Sequence, residues 1–474
     1  MLRLNCCLCV AILGLACQFH SSSAEEPATA AAPAATQLNL SPRAIEQPLL
    51  KYRLFPTEDE LVDGNAAPIL LRLPWEQTSY FSHIVPKFNA QLELSIDDPK
   101  LVADGPLLTD GLYAEIRRAS RRRSANWEYP IHEGPFFQTL LPDAQGMRQI
   151  LGRGLSAKIR YHIAIGELAK AREGINVGLG ATDRFLDTPF LVVQLVGAAI
   201  DQVLLDRVVE LVAALNSENM YWALTTLPRP LVDLRPSVEL ELAKLSDLLG
   251  ECGDVDHART EEEWLAFESR LFAVYAENIG EKWLSGSQLN AIRGQMLEVA
   301  RRELPAKLEI NNESVAAMCD AEALVRWFLD EHLAISHEIA TAIALEPTQA
   351  SSKLVALERH FRLVGDKEAD FSDFFFLLGS PYSAYLGVQR IERQIDALRV
   401  VEALRHHAAT HDGQFPVSLD EITEIPVPVD PITGLPFGYR LDDDSALLSA
   451  VGIRVSEIEA PVAEIRYRLT IRPE

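Results

Sequence analysis

The stretch "HDGQFPVSLDEITEIPVPVDPITGLPFGYRLDDD", His411 to Asp444, decides how the C-terminal part of this chain is read. It follows a stripe of Ile391, Ile395, Leu398, Val401 and Leu404, whose spacings of three and four line one face of a helix. That helix has to stop at His411-Asp412-Gly413, because Gly413 stands where a left-handed residue closes a helix end. Phe415-Pro416 then anchors the exit. Ser418 and Glu421 have the spacing of a capping box over a short helix bearing Leu419 and Ile422. The prolines of "IPVPVDP" forbid helix and most ladder bonds, so this piece is extended, and Thr433-Gly434 turns the chain. "FGYRL", "ALLSAV" and "EIRYRLTIR" read as strands, with "LDDDS" as a turn. In the last strand Ile465, Tyr467, Leu469 and Ile471 point inward and Arg466, Arg468 and Arg472 outward. The expectation for residues 390–474 is a small α+β module, a long helix on a three-stranded antiparallel sheet, with no obvious catalytic residue.

Upstream, residues 48–389 are dominated by helical periodicity, so the fold class is mainly α. Structure is expected to start with "PLLKYRLFP" (Pro48–Pro56) as a short extended piece, followed by the turn "DGNAAP" and a helix with Pro68 in its first turn. In "TEEEWLAFESRLFAVYAENIG", Thr260 and Glu263 make a capping box, Trp264, Phe267, Leu271 and Tyr275 share a face, and Gly280 suits the stop. In "GELAKAREGINVGL", Gly166, Ala171, Ile175, Gly178 and Leu179 fall where a tetratricopeptide repeat places its small and bulky residues. No second good copy accompanies it, so the hairpin is tetratricopeptide-like within a helical-hairpin domain. "MYWALTTLPRPLVDLR" (Met220–Arg235) reads as an interdomain corner, with Arg229 and Asp233 as candidate partners.

The 474 residues carry a net charge of −24 and 48% hydrophobic residues, enough for a real core. The acidic balance argues against nucleic acid and anionic lipid as partners, since both need a basic face. Residues 1–24 read as a signal peptide: Arg3, an apolar run from Cys6 to Cys17, and Ser22-x-Ala24 as the cleavage site. A rival reading makes "GLAC" a lipobox with Cys17 as a lipid anchor. Residues 25–47 have the Ala/Pro-rich composition of a linker. No later segment reads as a transmembrane span, because the most apolar run, Pro189–Ile200, contains Gln194 and stops at Asp201. Outside the signal the cysteines are Cys252 and Cys319, either a disulfide pair or two buried thiols. The mature chain is expected to be exported, periplasmic or in the cell envelope.

The order helix, "GQFPVSL", "DPITGLPFGYR" resembles the globular heads of type II secretion pseudopilins and type IV pilins over roughly residues 390–450. Their N-terminal hydrophobic helix is absent, and Asp442, Asp443 and Asp444 do not match the calcium loop of major pseudopilins. The wider chain resembles a group of exported bacterial proteins of unknown function, frequent in planctomycetes, through "LLKYRLFP", "GNAAP", "WEYPIHEG", "LLPD", "MYWALTTLPRPLVDLR" and the C-terminal module, which together span residues 48 to 440. That resemblance implies a shared architecture and transfers no functional residue.

Motifs for chemistry are sparse. "GRGLSA" (Gly152–Ala157) matches a dinucleotide pattern but follows helix where a strand is required. His332 and His337 are five apart and fall on different faces. His407 and His411 are four apart near a helix C-terminus, where the dipole favours imidazolium, so the structural reading is preferred over a metal. No cofactor is implied. "RRASRRR" places Arg117, Arg118, Arg121, Arg122 and Arg123 together in an acidic chain, either paired with the chain's own carboxylates or gripping an anionic partner. The following "NWEYPIHEG" offers Trp127, Glu128, Tyr129 and His132. Trp127 and Tyr129 are of the type that builds recognition surfaces, with core packing as the plainer role. The leading functional expectation is a non-enzymatic exported scaffold or binding protein with a protein partner in the cell envelope. The alternatives are an envelope hydrolase with scattered carboxylates or histidines, for which Glu128 and His132 should converge in one pocket, and an accessory component of a secretion system.

Overall fold

The computed structural model describes residues 35–129, 131, 143–250, 259–279, 286–364, 381–452 and 464–472. The signal and lipobox residues, His132, Cys252 and Gly280 lie outside these. The chain is mainly helical with a small mixed sheet, and it divides into two compact units. The smaller contains Leu234–Tyr385, and the larger combines Glu25–Tyr129, Leu140–Asp233 and Leu386–Glu474. Residues of the module expected at 390–474 therefore share a unit with two earlier segments.

The sheet of the larger unit has four strands: β1 (Thr36–Leu40), and β4 (Gly438–Asp442), β5 (Ser445–Ala450) and β6 (Ile465–Ile471), in the order β1-β6-β5-β4. β5 runs antiparallel to both β4 and β6, whereas β1 pairs parallel to β6, from Thr36 opposite Tyr467 to Leu40 opposite Ile471. This corrects the expected three-stranded antiparallel sheet. It also corrects the linker assignment for "TQLNL", whose two leucines, Leu38 and Leu40, alternate inward into the core. On β6 the expected inward set Ile465, Tyr467 and Leu469 is buried, with Ile471 half-buried. A second, two-stranded pairing joins β2 (Val62–Asn65) to β3 (Arg122–Ser124) in parallel.

Between them lie α1 (Ala67–Glu76), α2 (Thr78–Glu93), α3 (Lys100–Ala103) and α4 (Asp110–Ser120). Pro68 sits in the first turn of α1, where its missing N–H costs nothing. "PLLKYRLFP" forms turns and not a strand. After α5 (Ala144–Met147) comes a π-helical turn, Arg148–Gly154, leading into α6 (Leu155–Ala164). "GRGLSA" thus lies within continuous helix. Gly166, at φ +76°, turns the chain from α6 into α7 (Leu168–Leu186). Gly178 of α7 has no room for a side chain: a Cβ there would meet Leu155 at 2.9 Å and Leu204 at 2.8 Å. Leu155 belongs to α6 and Leu204 to α8 (Leu191–Ala213), so the missing side chain at Gly178 lets both pack close against α7. Gln194 of α8, which interrupts the apolar run, donates to the Leu186 and Thr188 carbonyls at 2.7 and 2.8 Å and ties the α7–α8 corner.

In the smaller unit, α10 (Arg235–Gly250), α11 (Glu261–Ile279), α12 (Gly286–Lys307), α13 (Asn312–Ala317), α14 (Asp320–Ile343) and α15 (Pro347–Val364) pack around Trp264, Phe267, Trp327 and Phe328. The Thr260–Glu263 capping box forms, with the Thr260 N–H donating to Glu263 at 2.7 Å and the Glu263 N–H to Thr260 Oγ1 at 3.3 Å. Arg301 donates to the Val315 and Met318 carbonyls and to Asp320, joining the end of α13 to the start of α14. The Cys319 thiol accepts the Glu322 N–H as the cap of α14. His332 of α14 is buried with Ser336 beside it, and burial pushes its imidazole down to about 4.

The helix α16 (Pro381–Thr410) runs through the larger unit from Leu386. Its stripe Ile391, Ile395, Leu398, Val401 and Leu404 is buried, as the spacing predicts. The other faces of this helix carry polar and charged residues. They are buried as well: Glu392, Arg393, Gln394, Asp396, Glu402 and Arg405 all lie inside. A buried charge needs a partner, and these charges find theirs on the helix itself or on distant segments of the chain. Arg405 and Glu402, both wholly inaccessible, pair at 2.9 Å. Arg405 also donates to the carbonyls of Ser41, Ser217 and Glu218. Asn219 bonds the carbonyls of Arg43 and Glu402. After α9 (Tyr221–Thr225), Arg229 reaches Glu392 at 2.7 Å and Asp396 at 2.6 Å, and the Leu231 N–H donates to Glu392. The "LPRPL" bend is therefore clamped onto α16.

Arg393 does the same for the stretch that follows the helix. It makes a fork to Asp430 at 2.9 and 2.7 Å and donates to the Val451 carbonyl. Asp430 in turn accepts from the Ile432 N–H and the Thr433 hydroxyl, while its carbonyl accepts the Gly434 N–H. "DPITG" is thus a loop organised around one carboxylate. Gly413 closes the helix at φ +78°, its N–H bonded to Ala408 O at 2.9 Å. The short helix after it is a single 3-10 turn, Leu419–Glu421, and Glu421 caps it through the Val417 N–H and not through the Ser418 box.

Three stability predictions follow from these burials. Arg405→Met leaves Glu402 uncompensated and should cost about 3–5 kcal/mol in denaturant unfolding of the larger unit; a loss below ~1 kcal/mol would show that the pair is not a keystone. Burial holds the Asp201 carboxyl well above the usual range, whereas the unfolded chain ionises it above pH ~4, so stability is lost as pH rises. Asp201→Asn should therefore raise the thermal midpoint at pH 7, with the gain vanishing near pH 4. His332 has the opposite sign: the unfolded chain takes a proton below pH ~6.5 that the folded state refuses until about 4. His332→Leu should lose an acid-side destabilisation of up to about 3 kcal/mol between those pH values, read as the difference from wild type.

Candidate functional site

The arginine run sits at the end of α4 and along β3, and its charges meet the chain's own acids. Arg117 pairs with Glu173 at 3.2 Å and Arg118 with Glu115 at 2.6 Å. Arg121 reaches Glu60 and Asn176, Arg122 the Asp63 carbonyl, and Arg123 both Glu58 and Asp63. Trp127 and Tyr129 are half-buried and stacked, with centroids 6.3 Å apart. Trp127 meets Phe185 edge-on and Tyr129 meets Phe190 at 5.0 Å, so the pair covers the α7–α8 corner. Glu128 between them is exposed.

A groove of about 1450 Å³ opens elsewhere on the larger unit. One wall is Thr36–Asn39 of β1, an edge strand, so its outer side has no strand beside it among the described residues. The others come from Ser95–Pro99 before α3, from the Gly166 turn with Glu167 and Lys170, and from the end of α8 with Leu215 and Asn216. None of the seven residues singled out at Arg117–Tyr129 lines it. Asn216 takes the left-handed conformation, φ +61°, and leaves Leu215 exposed. The charges facing the groove are mostly acidic: Asp97, Asp98, Glu167, Glu210 and Glu218 against Lys170 and Arg472. Glu167 bonds Lys170 at 2.8 Å and His162 at 2.9 Å, and the Lys170 hydrogen bond holds its carboxyl below the usual range. The Lys170 pairing favours the ionised Glu167, whereas burial pushes the His162 imidazole down, toward its neutral form.

Four carboxyls are pushed upward, mainly by burial: Asp183, Asp187 and Asp201, on or just after α7 and on α8, and Glu402 of α16. Asp183 is paired to Arg184, and Asp187 accepts the Ala125 N–H at 2.8 Å. None of them lines the groove.

A different trio does converge. His407, His411 and Glu424 bring one ligand atom each to within 4.8 Å of one another. The four-residue spacing marks the two histidines in the sequence, but Glu424 carries no signal of its own, since the intervening turns alone decide where it lands. No protein-family model, no curated protein and no solved structure matches the chain, so these geometries carry the functional reading.

Proposed function

We propose that this chain is a non-enzymatic, exported scaffold or binding protein of the cell envelope, and that the groove beside β1 receives an extended segment of a protein partner. The observation that carries this reading is the groove with a free strand edge as one wall. At about 1450 Å³ it exceeds the ~300–1,000 Å³ typical of small-molecule sites and suits a polypeptide. A segment added along β1 gains main-chain hydrogen bonds from the edge, and pockets between helix ends supply side-chain selectivity. The acidic lining favours lysine or arginine in that segment, and exposed Leu215 offers an apolar contact. Export rests on the composition of residues 1–24; no helix among the described residues is long and apolar enough to cross a membrane.

The α6–α7 pair, with its Gly166 turn and close crossing at Gly178, supports reading this region as a tetratricopeptide-like hairpin. The resemblance to pilin-type heads gives a second reading, an accessory part of a secretion system. It is favoured by the way the Asp430 loop closes back on the preceding helix through Arg393. An anionic ligand at Arg117–Arg123, by contrast, has to displace Glu58, Glu60, Glu115 and Glu173.

Affinity capture from native envelope extract tests the groove. The tagged wild-type chain should retain a stoichiometric partner, and Leu215→Glu or Asp97→Arg, both at exposed positions, should reduce its recovery at least ~10-fold, a loss of about 1.4 kcal/mol. Capture of the same partner by all three proteins would refute the groove, and absence of any partner in low and high salt would refute the binding reading.

A further inference from the structure

We propose that His407, His411 and Glu424 form a binding site for one divalent transition-metal ion of the zinc class. His407 stands in the last turn of α16 and His411 one turn on, just past its end; their rings are stacked with centroids 3.8 Å apart, so the exposed His411 ring has to turn out of the stack for both in-plane lone pairs to reach one ion. His411 Nδ1 is 3.0 Å from both the His407 carbonyl and the Thr410 hydroxyl; with its proton on Nδ1, facing the carbonyl, Nε2 keeps a free lone pair. An imidazole N–H held by a backbone carbonyl is how metal-bound histidines are commonly oriented. His407 is buried, and its Nδ1 is sealed from solvent without a hydrogen-bond partner, an unusual state for a buried nitrogen.

The carboxylate arrives from the far side of the Gly413 turn. Ile422 and Ile425 are both buried and flank Glu424, and the Tyr221 hydroxyl donates to the Pro426 carbonyl, so the backbone carrying Glu424 is pinned on both sides. Two imidazole nitrogens and one oxygen select against calcium and magnesium, which prefer all-oxygen sites. The same set suits zinc, cobalt or nickel. Since His411 and Glu424 are exposed, water can complete the coordination. An ion held there ties the segment from Gly413 to Ile425 to the end of α16. The site is independent of the groove: none of its residues lines that wall.

Zinc binding to the full-length chain, stripped with chelator and titrated against a chromophoric competitor, tests the site. One tight equivalent is expected, with Co²⁺ giving visible d–d absorption of a low-symmetry site. His411→Gln and Glu424→Gln, both at the surface, should each weaken Zn²⁺ at least ~10-fold and abolish the Co²⁺ spectrum. His337→Gln, on an exposed face of α14, should change neither. Circular dichroism confirms that each variant is folded. Failure to bind Zn²⁺ at tens of micromolar, or binding unchanged in both site variants, overturns the proposal.

Discussion

The larger unit depends on the burial of charge along α16. Arg393 and Arg405 are wholly inaccessible, so each position of this helix relative to its surroundings either satisfies two guanidinium groups or strands them. Besides Glu402 on the helix itself, the partners come from residues 41, 217, 218, 430 and 451, far apart in the chain. Apolar burial around Ile391, Leu398 and Val401 drives the helix inward, and the ion pairs select the rotation and register at which it can stay. Sliding it by one turn would part both guanidinium groups from their partners on other segments.

The same constraint positions both candidate sites. Arg405 bonds the carbonyl of Ser41, the residue immediately after β1, and the Arg43 N–H donates back to the Arg405 carbonyl. The edge strand that forms one wall of the groove is thus moored to the centre of the unit at its C-terminal end. A few residues on, the helix ends in the turn that carries His407 and His411. The chain then returns through Ile422 and Ile425 with Glu424 between them. The opening motif His411–Asp444 therefore has a structural use throughout: its glycine closes the helix, its isoleucines pin the return, and its Asp430 loop receives Arg393.

Much of the local structure was legible from residues alone. Capping at Thr260–Glu263, helix closure at Gly413, Pro68 in the first turn of α1 and the inward face of β6 all follow from short-range sterics and hydrogen bonding, which a few neighbouring residues determine. The misread elements have a common cause. "TQLNL" offers only two apolar residues, too few to mark a strand, and becomes one because β6 lies beside it in space. Ser418 has the spacing of a cap, yet Glu421 finds the Val417 N–H first.

What the sequence by itself determined is the class of the chain: mainly helical, acidic, with one hairpin built on small residues and a strand-rich C-terminal end. Those properties depend on periodicity, composition and turn chemistry, which are local. Only the tertiary structure decided that α16 is buried on its polar faces, that β1 completes the sheet, and that Glu424 meets two histidines. Each of these depends on a partner supplied by a distant segment, and no pattern within a single stretch of sequence specifies where that partner will be.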